Sequence, residues 1–439
     1  MEDVEDDKEL EETRIIRKIS SLKRENRRLR NSIAFQLGLH LTDAVQKPWR
    51  IIFLPLTFPM LCIKIGLKRL GKISASTSGF ITDYEPKPRT NSIVLFPTNG
   101  VGFGHFTRMY SIARELKKHD SEMEIIFFTT MPTLHIPYVE GFNTYHLAGK
   151  SKSKNMKSST WNMILEEMLT LVIETHNPKY FVYDGAFPYR GMLNSIYGRE
   201  EIKRIWMRRG MFKKGASIPV DSIEYFDLIA HPEDAIDREE SNLEHSVNSI
   251  HIPPISILNH DELMSREHAR RRLNLPLEGK VTYIQLGAGQ INEIESEIRL
   301  TIEALLEHQD MYIVLGESML GERLDYSRDR VILLRDYPNS LYLNAFDYSV
   351  QAGGYNSFHE MRNMNIPTLF YPNMNTGMDD QLARCKVAEK EKWGIVLEKR
   401  TKKSISNYIE KLLFMERQLN NPHYKNGSKD FVESILTGE

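Results

Sequence analysis

The sequence predicts an α/β protein made of two domains, each a parallel sheet with helices packed on it. Strand-like and helix-like patterns alternate from residue 91 to 250 and again from residue 251 to 400, which is typical of parallel strands joined through helices. Glycine-rich loops follow strands in both halves, where open parallel sheets bind their ligands. With 439 residues and 41% hydrophobic content, the chain is long enough to bury two cores.

The first predicted domain, residues 91–250, begins with a buried strand from Ser92 to Phe96. A glycine-rich loop runs from Pro97 to His105, and the apolar residues from Phe106 to His119 recur at helical spacing. Later apolar runs predict strands at Glu124–Thr130, Lys179–Asp184, Arg204–Met207 and Tyr225–Ala230.

The second predicted domain, residues 251–400, opens on a proline-containing connection from His251 to Ile257. After Trp393 the pattern is helical to the end of the sequence. Short apolar or alternating runs predict strands at Val281–Leu286, Met311–Leu315, Val331–Leu334, Asp347–Gln351 and Pro367–Tyr371.

Residues 347–381 predict two consecutive strand–loop–helix units. Gly353 and Gly354 end the first strand, and Ser357 with Glu360 three residues later predicts a capping box at the start of a helix. Loops at the carboxyl ends of neighbouring parallel strands present backbone N–H groups and helix N-termini, which favour phosphate groups. The stretch therefore indicates a nucleotide site, with a plain turn and a capped helix as the alternative.

The order and near-matching spacing of these residues resembles the donor-site signature of the UDP-glycosyltransferases. The region is also similar to the donor site of the bacterial enzymes that add N-acetylglucosamine to the peptidoglycan lipid precursor. The resemblance implies the GT-B architecture, in which two Rossmann-like domains face each other and the last helices, here in residues 401–439, cross back to the first domain. One departure is Ala352, which stands where plant members usually have a histidine that contacts a phosphate.

Carried over to this chain, the resemblance implies contacts to each part of a UDP-sugar. Gly354, Asn356 and Ser357 face the diphosphate, and Glu360 faces the ribose hydroxyls, since a carboxylate accepts from two hydroxyl groups. Asp380 and Gln381 face the transferred sugar, although Asp380 has the alternative role of capping the next helix. The implied donor-binding residues are Gly353, Gly354, Asn356, Ser357, Glu360, Asp380 and Gln381, with Gly287 and Gly289 after an earlier strand as a further phosphate-cradle candidate.

The glycine-rich loop that ends at His105 resembles the loop opening the first domain of the lipid-precursor enzymes. Gly102 and Gly104 let an acceptor or a phosphate approach the backbone. Arg108 is a candidate contact for an anionic acceptor, with a solvent-facing side chain as the alternative. Histidine titrates near neutral pH, so His105 is the candidate general base, and Asp184 is a candidate to orient it or to bind acceptor hydroxyls. The structural alternatives are a helix-capping histidine and a turn or cap carboxylate.

No Asp-x-Asp pair, which other transferases use to hold a divalent metal on the diphosphate, occurs in the sequence. We therefore predict metal-independent transfer with inversion at the anomeric carbon, and no cofactor besides the UDP-linked donor. The net charge of −1 gives no general attraction for nucleic acid. Two cysteines without a disulfide framework, and an acidic N-terminus without a secretory pattern, favour the cytoplasm.

Residues 1–46 are predicted to form an acidic tail and a basic amphipathic helix. The helical apolar pattern of residues 11–38 predicts a helix that binds a partner protein or a second copy, or a solvated helix with no partner. Residues 47–90 are predicted to be a membrane-surface segment and a linker. Within them, residues 48–72 carry a short apolar run between basic flanks, which is predicted to be too short to span a bilayer and suits an anionic membrane surface. A buried or interdomain helix is the alternative.

Together these features predict a UDP-sugar-dependent glycosyltransferase, peripheral on the cytoplasmic face of the cell membrane. Its predicted acceptor is a hydroxyl of a lipid-linked or polysaccharide molecule in cell-envelope synthesis, because residues 183–191 and 206–210 are similar to segments of bacterial surface-polysaccharide transferases. The alternatives are a nucleotide-sugar epimerase of the same architecture and a non-catalytic nucleotide-sugar-binding subunit. The sugar, acceptor and linkage depend on pocket shape rather than on motifs.

Overall fold

The computed structural model describes residues 32–69, 90–98, 102–208, 222–236, 247–287, 294–317, 326, 328–375, 379–417 and 425–437. The chain divides into two compact units. The first unit comprises Met1–Thr82 with Pro219–Asp221, and the second comprises Asp83–Ile218 with Ser222–Glu439.

In the first unit, two α-helices flank a 3-10 helix. Ser32 caps the first helix by accepting a hydrogen bond from the Phe35 N–H at 3.1 Å. Pro59 lies inside the second helix without ending it. The elements are α1 (Ile33–Gln46), the 3-10 helix Pro48–Phe53 and α2 (Leu54–Arg69).

The apolar segment of the first unit forms a longer helical stretch than its uninterrupted apolar run suggests. The 20 residues Pro48–Leu67 have a mean hydropathy of 1.7, and none of the window is buried. By length and composition this stretch is able to cross a membrane. The prediction that the segment is too short to span a bilayer is therefore wrong, because the helical stretch is longer than the uninterrupted apolar run.

The second unit contains two parallel sheets. The described strands of the first sheet have the order β3-β2-β1-β4-β5-β6-β7. They are β1 (Thr90–Pro97), β2 (Glu124–Thr129), β3 (Asn143–His146), β4 (Pro178–Asp184), β5 (Lys203–Met207), β6 (Leu228–Pro232) and β7 (Asn248–Ile252). The helices of this domain are α3 (Gly104–His119), α4 (His135–Val139), α5 (Ser158–His176) and α6 (Arg190–Ile196), with 3-10 turns at Lys150–Lys152 and Ile223–Tyr225.

The core of the first sheet forms around β1, which is buried from residue 92 to 97. A central parallel strand is covered by helices on both faces, so it needs an apolar run rather than an alternating pattern. Met109, Ile112 and Leu116 lie on one face of α3 and pack into this core.

The described strands of the second sheet have the order β10-β9-β8-β11-β12-β13, and all are parallel. They are β8 (Lys280–Gln285), β9 (Met311–Gly316), β10 (Val331–Leu334), β11 (Tyr348–Gln351), β12 (Thr368–Phe370) and β13 (Gly394–Val396). The helices are α7 (Arg266–Arg272), α8 (Glu295–Leu306), α9 (Tyr355–Asn363), α10 (Gln381–Lys390) and α11 (Lys402–Leu413), with 3-10 turns at His260–Glu262 and Asn339–Ala345.

The last described helix, α12 (Gly427–Thr437), returns to the first domain. Phe431, Val432 and Ile435 lie in the core of the first sheet, whereas α11 packs in the core of the second. The Asn426 side-chain amide donates to the Ser256 carbonyl at 2.9 Å, which ties the returning chain to the connection between the domains.

The predicted two-domain α/β fold is confirmed, and every predicted strand is present, although Tyr225–Ala230 is displaced to β6. Three strands were not predicted: β3, β7 and β13. Both β3 and β7 lie at sheet edges and are half exposed, so they lack the apolar run that identifies a buried strand. The prediction of purely helical structure after Trp393 is wrong, because β13 begins at the next residue.

Candidate active site

Each sheet changes the direction in which its strands are added at one place. This point lies between β1 and β4 in the first sheet and between β8 and β11 in the second. Open parallel sheets bind ligands at the carboxyl ends of the strands at such points. His105 follows β1, Asp184 ends β4, Gly287 follows β8 and Gly353 follows β11. The residues predicted from the sequence therefore lie at both of these points.

Contacts join the two points across the domain boundary. The Asn356 Nδ2 donates to the Gly104 carbonyl at 3.3 Å. The Thr107 Oγ1 lies 3.0 Å from the Tyr337 hydroxyl, and the Tyr337 ring packs on Phe103 with the ring centroids 5.1 Å apart. The start of α3 in the first domain therefore faces the start of α9 in the second.

His105 and Asp184 are in direct contact. His105 lies in the first turn of α3, and its Nδ1 is 2.7 Å from Asp184 Oδ1. Arg108, one turn further along α3, donates to the same carboxylate from Nε at 2.9 Å and from Nη2 at 2.7 Å. The strand end and the helix start thus hold a histidine, a carboxylate and a guanidinium together.

The proton on His105 can be assigned from hydrogen-bond logic. The Arg108 Nη2 also lies 2.9 Å from Nδ1, and one of its two N–H groups donates to Asp184 Oδ1. The ionised carboxylate 2.7 Å from Nδ1 decides the tautomer. A carboxylate cannot donate, so Nδ1 carries the proton and donates to Asp184. The other ring nitrogen, Nε2, then has the lone pair and is able to accept a proton.

The surroundings keep Asp184 ionised. Its side chain is 1% exposed, whereas His105 is 21% exposed. Burial opposes ionisation of Asp184, but the charge of Arg108 and the contact with His105 outweigh it and hold the pKa of Asp184 below its usual value. Arg108 is 2% exposed and committed to this carboxylate, so its placement does not favour the predicted acceptor contact. It fixes Asp184 instead.

The donor-side loop depends on two glycines with different roles. Gly353 has φ +80°, and a Cβ there would lie 2.3 Å from the Cys385 Sγ, so no other residue fits without strain. At Gly354 an added Cβ would meet no atom within 4 Å. The first N–H groups of α9 have no partner inside the helix, and N–H groups at a helix start suit an anion.

The predicted capping box in this loop is wrong. Helix α9 begins at Tyr355, and its N-cap is Gly354, whose backbone is extended with φ −61° and ψ 152°. An N-cap residue requires this extended backbone, whereas Ser357 and Glu360 are both inside the helix. Glu360 therefore caps nothing, and its carboxylate is left for another partner.

Glu360 lies in the second turn of α9. Burial raises the pKa of its carboxyl to about 7, and no hydrogen bond or ion pair to this carboxyl occurs within the described residues. The charge of Glu360 contributes to the raised pKa of Tyr283 in β8 and of Tyr337 in the loop after β10, so its carboxyl lies near both side chains. Such a carboxyl can accept hydrogen bonds from two hydroxyl groups of a ligand.

Asn356 lies in the first turn of α9, and the Gly104 carbonyl fixes the orientation of its amide. Because Nδ2 donates to that carbonyl, Oδ1 points elsewhere, and it is buried with no hydrogen-bond partner among the described residues. An amide oxygen accepts hydrogen bonds, so this atom suits a ligand N–H or O–H rather than a phosphate oxygen.

Asp380 and Gln381 are both engaged with their own loop. Asp380 is the N-cap of α10 and accepts from the Ala383 N–H at 3.0 Å. The Gln381 Oε1 accepts from the Asn373 N–H at 3.0 Å. The capping role considered for Asp380 is therefore present, and Gln381 braces the loop that precedes α10.

The other predicted site glycines that the structure describes are Gly102, Gly104 and Gly287. Gly287 has φ +93°, and an added Cβ at Gly102 or Gly104 would meet no atom within 4 Å. Gly289 and residues 99–101 of the glycine-rich loop lie outside the described residues.

Solved structures share this arrangement of two facing sheets. The glycosyltransferase of kitacinnamycin is 14% identical, with 80% of this chain and 96% of that chain covered and a TM-score of 0.52. MurG of Acinetobacter baumannii is 11% identical, with 80% and 100% covered and a TM-score of 0.52. The UDP-GlcNAc 2-epimerase of Methanocaldococcus jannaschii is 13% identical, with 79% and 100% covered and a TM-score of 0.54. The chain has the GT-B fold. No family model and no curated protein sequence matches it.

The GT-B crevice also contains residues that the sequence did not identify. Tyr355 is the first residue of α9, and its hydroxyl donates to the Glu233 carbonyl of the first domain at 2.8 Å. Arg384 in α10 is paired with Asp234 of the first domain. The spacing of Arg384 after Asp380 only suggests a pair along one helix, and no local pattern indicates a partner about 150 residues earlier.

The GT-B arrangement can perform two tasks. His105, oriented by Asp184, can accept a proton, and the start of α9 can stabilise an anion. Among the described residues, no group of three or more His, Cys, Asp or Glu side chains is placed to hold a metal ion.

Proposed function

We propose that this chain is an inverting, metal-independent glycosyltransferase that moves a sugar from a UDP-sugar to a hydroxyl of a lipid-linked or polysaccharide acceptor. The contact of His105 with Asp184 at 2.7 Å, across the crevice from the start of α9, is the observation that carries this proposal. Sugar transfer needs a base for the acceptor hydroxyl and a site for the charge of the leaving diphosphate, and both are available here.

In the proposed reaction, the Nε2 of His105 takes the proton of the acceptor hydroxyl. The hydroxyl oxygen forms a bond to the anomeric carbon on the face opposite the diphosphate. The bond from this carbon to the diphosphate oxygen breaks, and its electron pair leaves with UDP. Asp184 stays ionised and stabilises the imidazolium, while the N–H groups and dipole of α9 stabilise the diphosphate. A single displacement inverts the configuration.

The donor is held by the loop after β11 and by α9. Glu360 accepts from the ribose hydroxyls, and the backbone from Gly353 to Ser357 lines the diphosphate. The sugar lies against the loop that Asp380 and Gln381 brace. The carboxylate of Glu360 and the Oδ1 of Asn356 have no hydrogen-bond partner among the described residues. Both can therefore accept hydrogen bonds from the donor.

The decisive experiment measures release of UDP from a panel of UDP-sugars, with and without lipid-linked and polysaccharide acceptors. A transferase releases UDP quickly only when an acceptor is present, apart from slow hydrolysis. An epimerase interconverts two UDP-sugars without an acceptor, and a binding subunit does neither although it binds UDP. Either of the last two results would refute the proposed transfer.

We further propose that the first unit attaches the protein to the cytoplasmic face of a membrane. Ile52 is 78% exposed and Leu56 is 66% exposed, which is unusual for large apolar side chains in water. Asp43 pairs with Lys47 at 3.1 Å and with Arg50, so this acidic group is neutralised within the unit. Apolar surface beside basic residues suits an anionic lipid surface.

Flotation with liposomes tests the attachment. Deletion of residues 48–72, or the double change Ile52→Glu and Leu56→Glu, should release the protein from anionic liposomes, and UDP binding should persist. Phe414→Glu is the matched control, since Phe414 is 85% exposed in the second unit. If the intact chain stays in the soluble fraction with anionic and neutral liposomes alike, the membrane proposal fails.

A further inference from the structure

Arg384 connects the donor loop to the opposite domain. Its side chain is fully buried, and its guanidinium donates to Asp234 from Nε at 2.8 Å and from Nη2 at 2.7 Å. Asp234 follows β6 in the first domain. On its own side, Arg384 donates to Asp379 at 2.6 Å and to the Gly353 carbonyl at 3.0 Å. Arg384 thus contacts the loop after β11, the loop before α10 and an aspartate of the first domain.

The charges in this cluster are strongly coupled. Asp234 is 3% exposed, so burial opposes its ionisation, but the hydrogen bonds and charge of Arg384 outweigh burial and hold the pKa of Asp234 far below its usual value. The carboxylates of Asp234 and Asp379 together raise the pKa of Arg384 against its own burial. A buried pair of this kind is costly to break from one side, because the remaining charge stays buried.

Tyr355 links the cluster to the candidate base. The guanidinium of Arg384 lies over its ring at 5.8 Å, and that of Arg108 lies over the same ring at 5.5 Å. The Tyr355 hydroxyl is held by the Glu233 carbonyl of the first domain. Residues of the first domain therefore surround the first residue of α9 as well as the guanidinium that holds Gly353.

The contacts of Arg384 explain how loss of Asp234 would reach the donor loop. The Arg384 Nη1 donates to Gly353, but it also lies 3.4 Å from the second oxygen of Asp379. Without the Asp234 charge, both oxygens of Asp379 compete for the guanidinium and draw Nη1 away from the Gly353 carbonyl. Gly353 has φ +80°, and because glycine has access to many backbone conformations, the hydrogen bond from Arg384 to its carbonyl restricts it to this one.

We propose that the Asp234–Arg384 pair positions the loop after β11 and the start of α9, residues 352–358. An aspartate of the first domain then sets the affinity of the second domain for a nucleoside diphosphate. The effect on affinity rests on the proposed function, whereas the effect on loop order does not. Arg384 and Asp234 are positioning residues, since they act through Gly353 and α9.

The test uses Asp234→Asn and Arg384→Lys in the full chain, with Asp227→Asn as control. Asp227 pairs with Arg204 in the same two-pronged geometry, at 2.9 and 2.6 Å, but entirely within the first domain. Hydrogen exchange of residues 352–358, measured without nucleotide, should rise at least about tenfold in both test variants and stay unchanged in the control. UDP affinity, measured by calorimetry, should fall about tenfold in the test variants only.

Lys keeps the charge of Arg384 but cannot reproduce its planar fork, so rescue by Lys would overturn the proposal. Unchanged exchange of residues 352–358 in a folded Asp234→Asn variant would overturn it as well. If exchange rises but the wild-type chain binds no UDP, the positioning role stands and the donor assignment in the proposed function fails. The two proposals are thereby separated.

Discussion

Glu360 should make UDP-sugar binding depend on pH in the neutral range. Its carboxyl has a pKa of about 7 in the free protein because it is buried and no described residue forms an ion pair with it. Ribose hydroxyls donate to the ionised form, so the complex favours the carboxylate and its pKa falls on binding. Binding therefore releases a proton below and near pH 7. Affinity must fall as the pH decreases through this value.

The size of the effect follows from the ionised fraction. With a pKa of about 7, roughly 90% of the free protein carries the carboxylate at pH 8 and roughly 10% at pH 6. If only that form binds, the dissociation constant should be about tenfold higher at pH 6 than at pH 8. Proton release should be largest near the lower end of this range and nearly absent at pH 8.

Calorimetry in buffers of different ionisation enthalpy measures both the affinity and the protons released. A UDP-sugar is the better ligand, because the terminal phosphate of UDP itself titrates near pH 6 and would add its own slope. Glu360→Gln is the matched variant: it should bind more weakly at pH 8 and show no slope from pH 6 to 8. A flat wild-type profile, or a slope that persists in Glu360→Gln, would refute the reasoning.

Four substitutions test the rest of the site. His105→Ala should lower turnover about 100-fold while UDP affinity changes less than about twofold, since a base acts on the acceptor proton; near-normal turnover would remove it from the mechanism. Asp380→Ala should lower stability by about 1 kcal/mol through loss of the N-cap, measured by denaturant unfolding, and unchanged stability would contradict the capping geometry. Gly353→Ala should destabilise the fold by at least about 1 kcal/mol, whereas Gly354→Ala should stay folded and weaken UDP binding; equal effects at both positions would argue against the open space beside Gly354.

The fold could be predicted because its strongest signals are local. β1, β8 and β11 are buried over most of their length and have apolar or alternating runs, and the glycines that follow them mark the turns into helices. The edge strand β3 has no such signal, because its side chains are half exposed and its pairing partner lies elsewhere in the sequence. At a sheet edge, the hydrogen-bonding groups of the neighbouring strand determine where a strand forms more than the strand's own residue pattern does.

The candidate site could be predicted only in part for a related reason. His105 and Asp184 end local patterns at the carboxyl edge of one sheet, so topology alone places them close together. The helix boundary at Gly354 was predicted three residues late, because a Ser-x-x-Glu spacing looks the same inside a helix as at its start. The pairing of Asp234 with Arg384 depends on how the two domains pack together, and no local sequence pattern around either residue indicates it.

The return of α12 to the first domain affects how the chain folds during synthesis. Phe431, Val432 and Ile435 fill the core of the first sheet, yet they are synthesised after all the described strands of the second sheet. A chain ended at residue 426 should therefore leave an apolar groove on that domain, detectable as increased binding of a hydrophobic dye. Until α12 has been synthesised, the domain that contains His105 has part of its core open to solvent.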